Sequence, residues 1–243
     1  MLDRPRFLLS GDTALVVELG DEISPEINRR VRDLTVALEK ANLPGVFDYL
    51  PTYRSVLVYY DPVATSLDDL KSEIERLDAG EGNQDVGSPV VVKLPTLYGG
   101  DHGPDIEFVA ENAGISVDEV IATHSGTDYL VYMMGFSPGF AYLGGLSEKL
   151  VTPRLSTPRA EIPAGSVGIA ETQTGVYPIA SPGGWRLIGR TPVRLFVPLR
   201  EPPVIVNAGD YVRFTPIQSV EEYAELERQA DAGELRVVTE AVN

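Results

Sequence analysis

Cysteine is absent from the 243 residues, which removes disulfides, thiolate nucleophiles and cysteine-based zinc sites together and suits a reducing cytoplasm. No apolar run approaches the roughly 18 residues that would suggest a membrane span. The opening segment, MLDRPRFLLSGD, has too short an apolar stretch behind Arg4 and Arg6 to read as a secretory leader. Basic residues are few: 20 Lys and Arg face 36 Asp and Glu, and the net charge of −16 repels phosphate backbones. Neither a nucleic-acid nor a membrane role is expected. No GxxxxGK[ST] and no GxGxxG opening a helix occurs, so a nucleotide site of the familiar kind is not expected either. Histidine stands only at 102 and 124, which limits general bases that titrate near neutrality to two positions.

What is present is an ordinary globular composition, 43% hydrophobic and 23% charged. Residues 7–10 and 14–19 are apolar runs about Gly11-Asp12 and predict a hairpin. Ser24 and Pro25 open a helix in which Ile27, Val31, Leu34 and Leu38 share one face. Two strands follow at 46–50 and 54–60. Ser66 with Asp69 then caps a second helix carrying Leu67, Leu70, Ile74 and Leu77. Two helices on one small antiparallel sheet give an α+β N-terminal domain of ferredoxin-like type, expected over 1–82. The polar, glycine-rich stretch 79–89 reads as the boundary, with a second domain over 88–243.

The second domain opens with a strand at 90–94, a turn cluster at 98–105 and a helix from Pro104 that Gly114 would end. Ser116 and Glu119 form a capping box for a helix to about Thr123, with His124 at its exit. Short strands are expected at 129–134, 166–171, 175–179, 186–188, 194–196 and 211–214, a pattern that suggests a closed barrel. A helix over 219–232 and a last strand at 235–239 complete the reading. Gly and Pro are dense from 124 to 192, and loops on a rigid β scaffold are where binding groups collect.

Gly135-Phe136-Ser137-Pro138-Gly139 matches the G-x-S-x-G nucleophile elbow, but the residue after the serine is a proline without the N–H that an oxyanion hole requires, and both histidines lie upstream. Phe136, Phe140 and Tyr142 are better read as apolar wall. His124 is a candidate general base, or else a helix cap or core residue. His102, between Asp101 and Asp105, reads as a solvated turn residue, and no metal site is expected. Arg154, Arg159 and Arg190 suit carboxylate or phosphate, or the chain's own acids. Gln173 offers a donor and an acceptor to a carboxamide or lactam, or else satisfies the backbone of its turn, and Trp185 could cover a flat ligand or fill core.

The segments GFSPGFAYLGGL, TPRLSTPRAEIPAGSVGIAETQTGVYP and SPGGWRLIGRTP, with YGGDHGPD and SGDTALVVELG, resemble the allophanate hydrolase subunit 1 family, which includes the B-type subunit of bacterial ATP-dependent 5-oxoprolinase and a sporulation-kinase inhibitor. The resemblance covers nearly the whole chain. It implies a small α+β domain followed by a cyclophilin-like β-barrel. The implied partners are a homologous barrel protein, subunit 2 or C, and a third polypeptide, the A-type subunit of 5-oxoprolinase. It also implies ATP-driven opening of 5-oxo-L-proline to L-glutamate, or a relationship to the carboxyltransferase part of urea carboxylase. In such a site His124 would be the base, Gln173 the amide reader, Arg159 and Arg190 the anion holders, and Tyr142, Tyr177 and Trp185 the walls. A module that docks a histidine kinase and catalyses nothing is the alternative. The sequence departs from the family at Glu171, where glycine is usual, and at Ala208-Gly209-Asp210, where Pro-Gly-Asp is usual.

Overall fold

The computed structural model describes residues 1–80 and 88–242, and the chain divides into two compact units, Met1–Ser88 and Pro89–Asn243. The boundary expected between 82 and 88 falls on 81–87, outside the described residues.

In the first unit, β1 (Arg6–Leu9) and β2 (Ala14–Glu18) form the hairpin, Leu9 facing Leu15. Helix α1 (Pro25–Ala41) begins where the Ser24 hydroxyl accepts the Ile27 N–H at 3.2 Å, and it ends at Asn42 in the left-handed region, φ 45°. Strands β3 (Val46–Pro51) and β4 (Ser55–Tyr60) precede α2 (Leu67–Asp78), capped by Ser66, whose hydroxyl accepts the Asp69 N–H at 3.1 Å. The sheet is antiparallel in the order β1-β2-β4-β3. Ile27, Val31, Leu34, Leu38, Leu70 and Ile74 are buried with Leu15, Val17, Val56 and Val58 of the sheet. The two-helices-on-a-sheet arrangement is thus present, but the strand connection is not βαββαβ. The edge place beside β2 belongs to β1, which a tight hairpin returns directly, instead of to a strand following α2.

The second unit is mainly β. Strand β5 (Val90–Tyr98) leads to α3 (Ile106–Ala113), ended by Gly114, and to α4 (Val117–Ser125) with the complete Ser116–Glu119 capping box. Then come β6 (Tyr129–Met134), β7 (Ala141–Gly144), β8 (Arg159–Ile162), β9 (Ser166–Ala170), β10 (Gln173–Val176), β11 (Ser181–Gly183) and β12 (Arg186–Arg190). Strand β13 (Tyr211–Pro216), α5 (Val220–Asp231) and β14 (Thr239–Ala241) follow. Seven strands close on themselves as β12-β9-β10-β7-β6-β13-β5, with β5 returning to β12, and β14 adds to β5 outside the ring. The barrel is filled by Leu94, Val131, Leu143, Val167, Ile169, Val212 and Phe214, all buried.

Several expectations shift. Strand β5 runs four residues beyond 94, because its far end pairs with β12 through Gly189–Tyr98 and Arg190–Leu97. No strand forms at 194–196. Phe196 makes only a bridge to Val204, and the Arg194 guanidinium reaches Asp231 at 2.5 Å. The last strand lies at Thr239–Ala241, overlapping the expected 235–239 at Thr239 alone. The short β8–β11 ribbon was hidden in the sequence by its prolines and glycines, and α3 starts at Ile106, two residues after Pro104.

Candidate functional site

The site is built on the outer face of β7, β9 and β10. Alternation along β10 decides which groups face which way. Thr174 and Val176 turn into the barrel and are buried, whereas Gln173, Gly175 and Tyr177 turn outward. In β9 the matching outward residue is Gly168, which lies opposite Gly175. Two facing glycines leave a bare patch of backbone, and the Trp185 side chain lies on it. A Cβ at Gly175 would stand 3.2 Å from the indole Cζ3, and one at Gly168 would stand 3.2 Å from the Trp185 Cβ. The sole tryptophan is therefore positioned by the absence of side chains beneath it.

Around the indole, Phe140, Tyr142 and Tyr177 form a box of edge-to-face rings. Phe140 lies 5.0 Å from Tyr142, 6.1 Å from Trp185 and 6.4 Å from Tyr177, and Tyr177 is 6.1 Å from Trp185, between centroids. Burial raises the Tyr177 phenol, and the Trp185 backbone N–H and the charges of Arg154 and Arg159 act against that rise. The rings enclose a cavity of about 310 Å³, at the lower end of small-molecule sites. Gln173, Arg154, Leu155, Pro158 and the turn Pro182–Trp185 complete its lining with Phe136. The rim loop is fastened by the Leu155 N–H, which donates to the Gly184 carbonyl at 2.7 Å.

Of the seven residues that the resemblance gives site roles, Tyr142, Gln173, Tyr177 and Trp185 converge on this cavity. The other three do not line it. Arg159 donates to Asp105 Oδ1 at 2.9 Å and to the Trp185 carbonyl at 3.4 Å. Asp105 also accepts the Leu187 N–H at 2.7 Å, so arginine and aspartate together brace the start of α3 against β12. Arg190 donates to the Ala164 carbonyl at 2.8 Å, and its charge is felt by His102 and Tyr223. The His102 ring, expected in solvent, packs on Tyr223 with centroids 4.5 Å apart.

His124 sits inside the last turn of α4 and is wholly buried. Its Nδ1 is 2.8 Å from the Tyr98 hydroxyl and its Nε2 is 2.8 Å from Thr174 Oγ1. Thr174 donates its proton to the Gly168 carbonyl at 3.0 Å, so it can only accept from Nε2–H, and Tyr98 in turn donates to Nδ1. Both nitrogens of a neutral imidazole are thereby satisfied. Desolvation lowers its pKa from 6.5 to about 3. A proton acceptor in this condition, with Tyr129 and Phe214 packed on its ring, cannot serve a ligand outside the barrel. What it does is hold β10 from within, one residue from Gln173.

Arg154 is the functional candidate that sequence reasoning named but did not choose. It is exposed at the cavity rim. The arginines were indistinguishable in sequence because the deciding partner of Arg159, Asp105, stands 54 positions earlier. Among the described residues no group of three or more His, Cys, Asp or Glu is placed to hold a metal ion. No helix of the described residues is long and apolar enough to cross a membrane.

The sequence pattern of the family described as carboxyltransferase domain, subdomain C and D, matches residues 5–206. The B-type subunit of 5-oxoprolinase from Bacillus subtilis (strain 168) is 40% identical over 224 residues, 88% of this chain and 93% of that protein. Among solved structures, an uncharacterized protein of Pyrococcus horikoshii is 50% identical, with a TM-score of 0.54 over 90% of this chain and 100% of that one. The Kluyveromyces lactis urea amidolyase superposes with a TM-score of 0.78 over 98% of this chain and 16% of its own, at 20% identity, a likeness of fold alone.

Proposed function

Because the chain belongs to the family of carboxyltransferase domains, subdomains C and D, we propose that it is the B-type subunit of a 5-oxoprolinase complex, a hydrolase that opens 5-oxo-L-proline to L-glutamate. The observation that carries this reading is the match to the B-type subunit of a 5-oxoprolinase along 93% of that protein's length. The aromatic cavity supports it chemically. A lactam is a small planar amide with two apolar faces and a polar edge, and the cavity has ring walls for the faces and the Gln173 carboxamide for the edge. We read the barrel as cyclophilin-like and the first unit as a permuted relative of the ferredoxin-like fold, in a cytoplasmic protein.

In this reading the chain binds and orients, and it contributes no general base. Opening an amide requires breaking its resonance, which ATP hydrolysis in the complex would drive. Among the described residues the cavity has one guanidinium, no lysine and no glycine-rich phosphate loop, so it does not fit a triphosphate. We assign the nucleotide to the A-type subunit, and we assign the remaining side of the lactam site to the homologous C-type barrel.

The test is reconstitution with the A-type and C-type subunits and measurement of 5-oxoproline-dependent ADP release. Release should require this chain and should fall at least about tenfold in Gln173→Ala, an increment of roughly 1.4 kcal/mol in barrier. Undiminished release without the chain would leave it a docking module for another protein, and turnover of urea-derived substrates instead would favour the carboxyltransferase reading.

A further inference from the structure

We propose that Arg154 is the specificity-determining residue of the aromatic cavity, binding the carboxylate of a lactam acid at the rim while the ring of the ligand lies against Trp185; this deepens the lactam reading and rests on it.

Three observations lead to this residue. First, the cavity lining includes, among the described residues, one cationic side chain and no aspartate or glutamate. A chain of net charge −16 repels small anions in general, so a cavity that admits one needs a local cation to reverse the field. Second, the neighbouring guanidinium groups are already engaged by the chain itself. Arg159 is held by Asp105 at 2.9 Å, and Arg186 lies over the Phe108 ring at 3.6 Å while donating to the Pro153 carbonyl at 3.3 Å. Arg190 is turned to the Ala164 carbonyl. Third, Arg154 is on an exposed stretch whose backbone is nonetheless fixed. The bridge of Thr152 to Glu171 lies two residues before it, and the bond from the Leu155 N–H to Gly184 follows it directly. A planar fork on an anchored rim can meet a carboxylate with two parallel hydrogen bonds, which an ammonium group does not reproduce.

The resulting division of labour is geometric. Aromatic faces hold any flat five-membered ring, Gln173 reads the amide edge, and Arg154 distinguishes an acid from its neutral counterpart. A neutral lactam such as 2-pyrrolidinone should enter the same walls without engaging the rim.

The experiment uses the reconstituted complex. Arg154→Gln should raise KM for 5-oxo-L-proline about 10- to 100-fold, the range for a lost charge-assisted hydrogen bond, and change kcat little. Inhibition by 2-pyrrolidinone should be unchanged in the same variant, and Arg154→Lys should recover only part of the KM. A KM within about threefold of the parent, or a parallel loss of 2-pyrrolidinone inhibition, overturns the assignment of Arg154 and leaves the reading of the chain as a 5-oxoprolinase component standing. Absence of 5-oxoproline turnover in the parent complex overturns that reading itself, and this proposal with it.

Discussion

His124 illustrates how burial converts a catalytic residue type into a structural one. The folded chain holds it neutral down to about pH 3, whereas the unfolded chain takes up its proton near 6.5. Between those values the unfolded state binds more protons, so stability declines as pH falls through that window, at up to about 1.4 kcal/mol per pH unit. Its hydrogen-bonding neighbours, Tyr98, Thr174 and Tyr129, include no carboxylate that could offset the effect. The urea midpoint should fall from pH 7 to pH 5, with a visibly smaller slope in His124→Asn. Equal slopes would mean that the imidazole is not the group responsible. Glu171 makes a second point about single positions. It adopts φ 52° in the turn between β9 and β10, a conformation that glycine tolerates and other residues rarely adopt. Left-handed backbone costs a non-glycine residue about 1 kcal/mol, so Glu171→Gly should raise the melting temperature by roughly 2–4 °C. Phe136, at φ 65° and 73% exposed, is under the same constraint with a larger side chain. Phe136→Gly should likewise melt higher, yet, in the complex proposed above, raise KM for 5-oxoproline because a wall of the cavity is lost.

Among the elements, β10 organises the cavity, since the strand sends Thr174 to the interior histidine and Gln173 and Gly175 outward, with Tyr177 just beyond its end on the same side. Gly175→Ala should shift the indole by a few tenths of an ångström, because a Cβ there would stand 3.2 Å from its Cζ3. The expected readouts are a red shift of tryptophan emission and a weaker lactam affinity, and an unshifted spectrum would show that the ring is held by other contacts. Much of this level was legible in advance. Capping at Ser24, Ser66 and Ser116 is local chemistry, and local chemistry is written in adjacent residues. That Tyr142, Gln173, Tyr177 and Trp185 belong to one neighbourhood was legible too, because all four fall in a single Gly/Pro-rich stretch, although the sequence left core and ligand roles equally open for them. Long-range pairing was not. Nothing in the neighbourhood of Arg159 announces Asp105, nothing near residues 194–196 shows that Arg194 is drawn to Asp231, and β1 gives no sign that it will occupy an edge that another topology assigns elsewhere.

For the whole molecule, strand β5 is the closing piece of the barrel. It lies parallel to β13 from Val91–Tyr211 to Thr96–Pro216, antiparallel to β12 at its far end, and beside β14 at its start. The Val90 N–H donates to Asp210 Oδ1 at 3.2 Å across 120 positions. The family match, by contrast, stops at 206, before β13 begins. A polypeptide emerging from the ribosome exposes β5 long before β13 exists, and the β5 edge from Val91 to Thr96 that pairs with β13 has no strand beside it until β13 is synthesised. A version cut after Val206 should accumulate in inclusion bodies, whereas one extended through α5 should be recovered soluble. Nascent-chain protease protection should likewise jump only after β13 has cleared the exit tunnel, so that the order of translation, as much as the final packing, governs when this cavity comes into being.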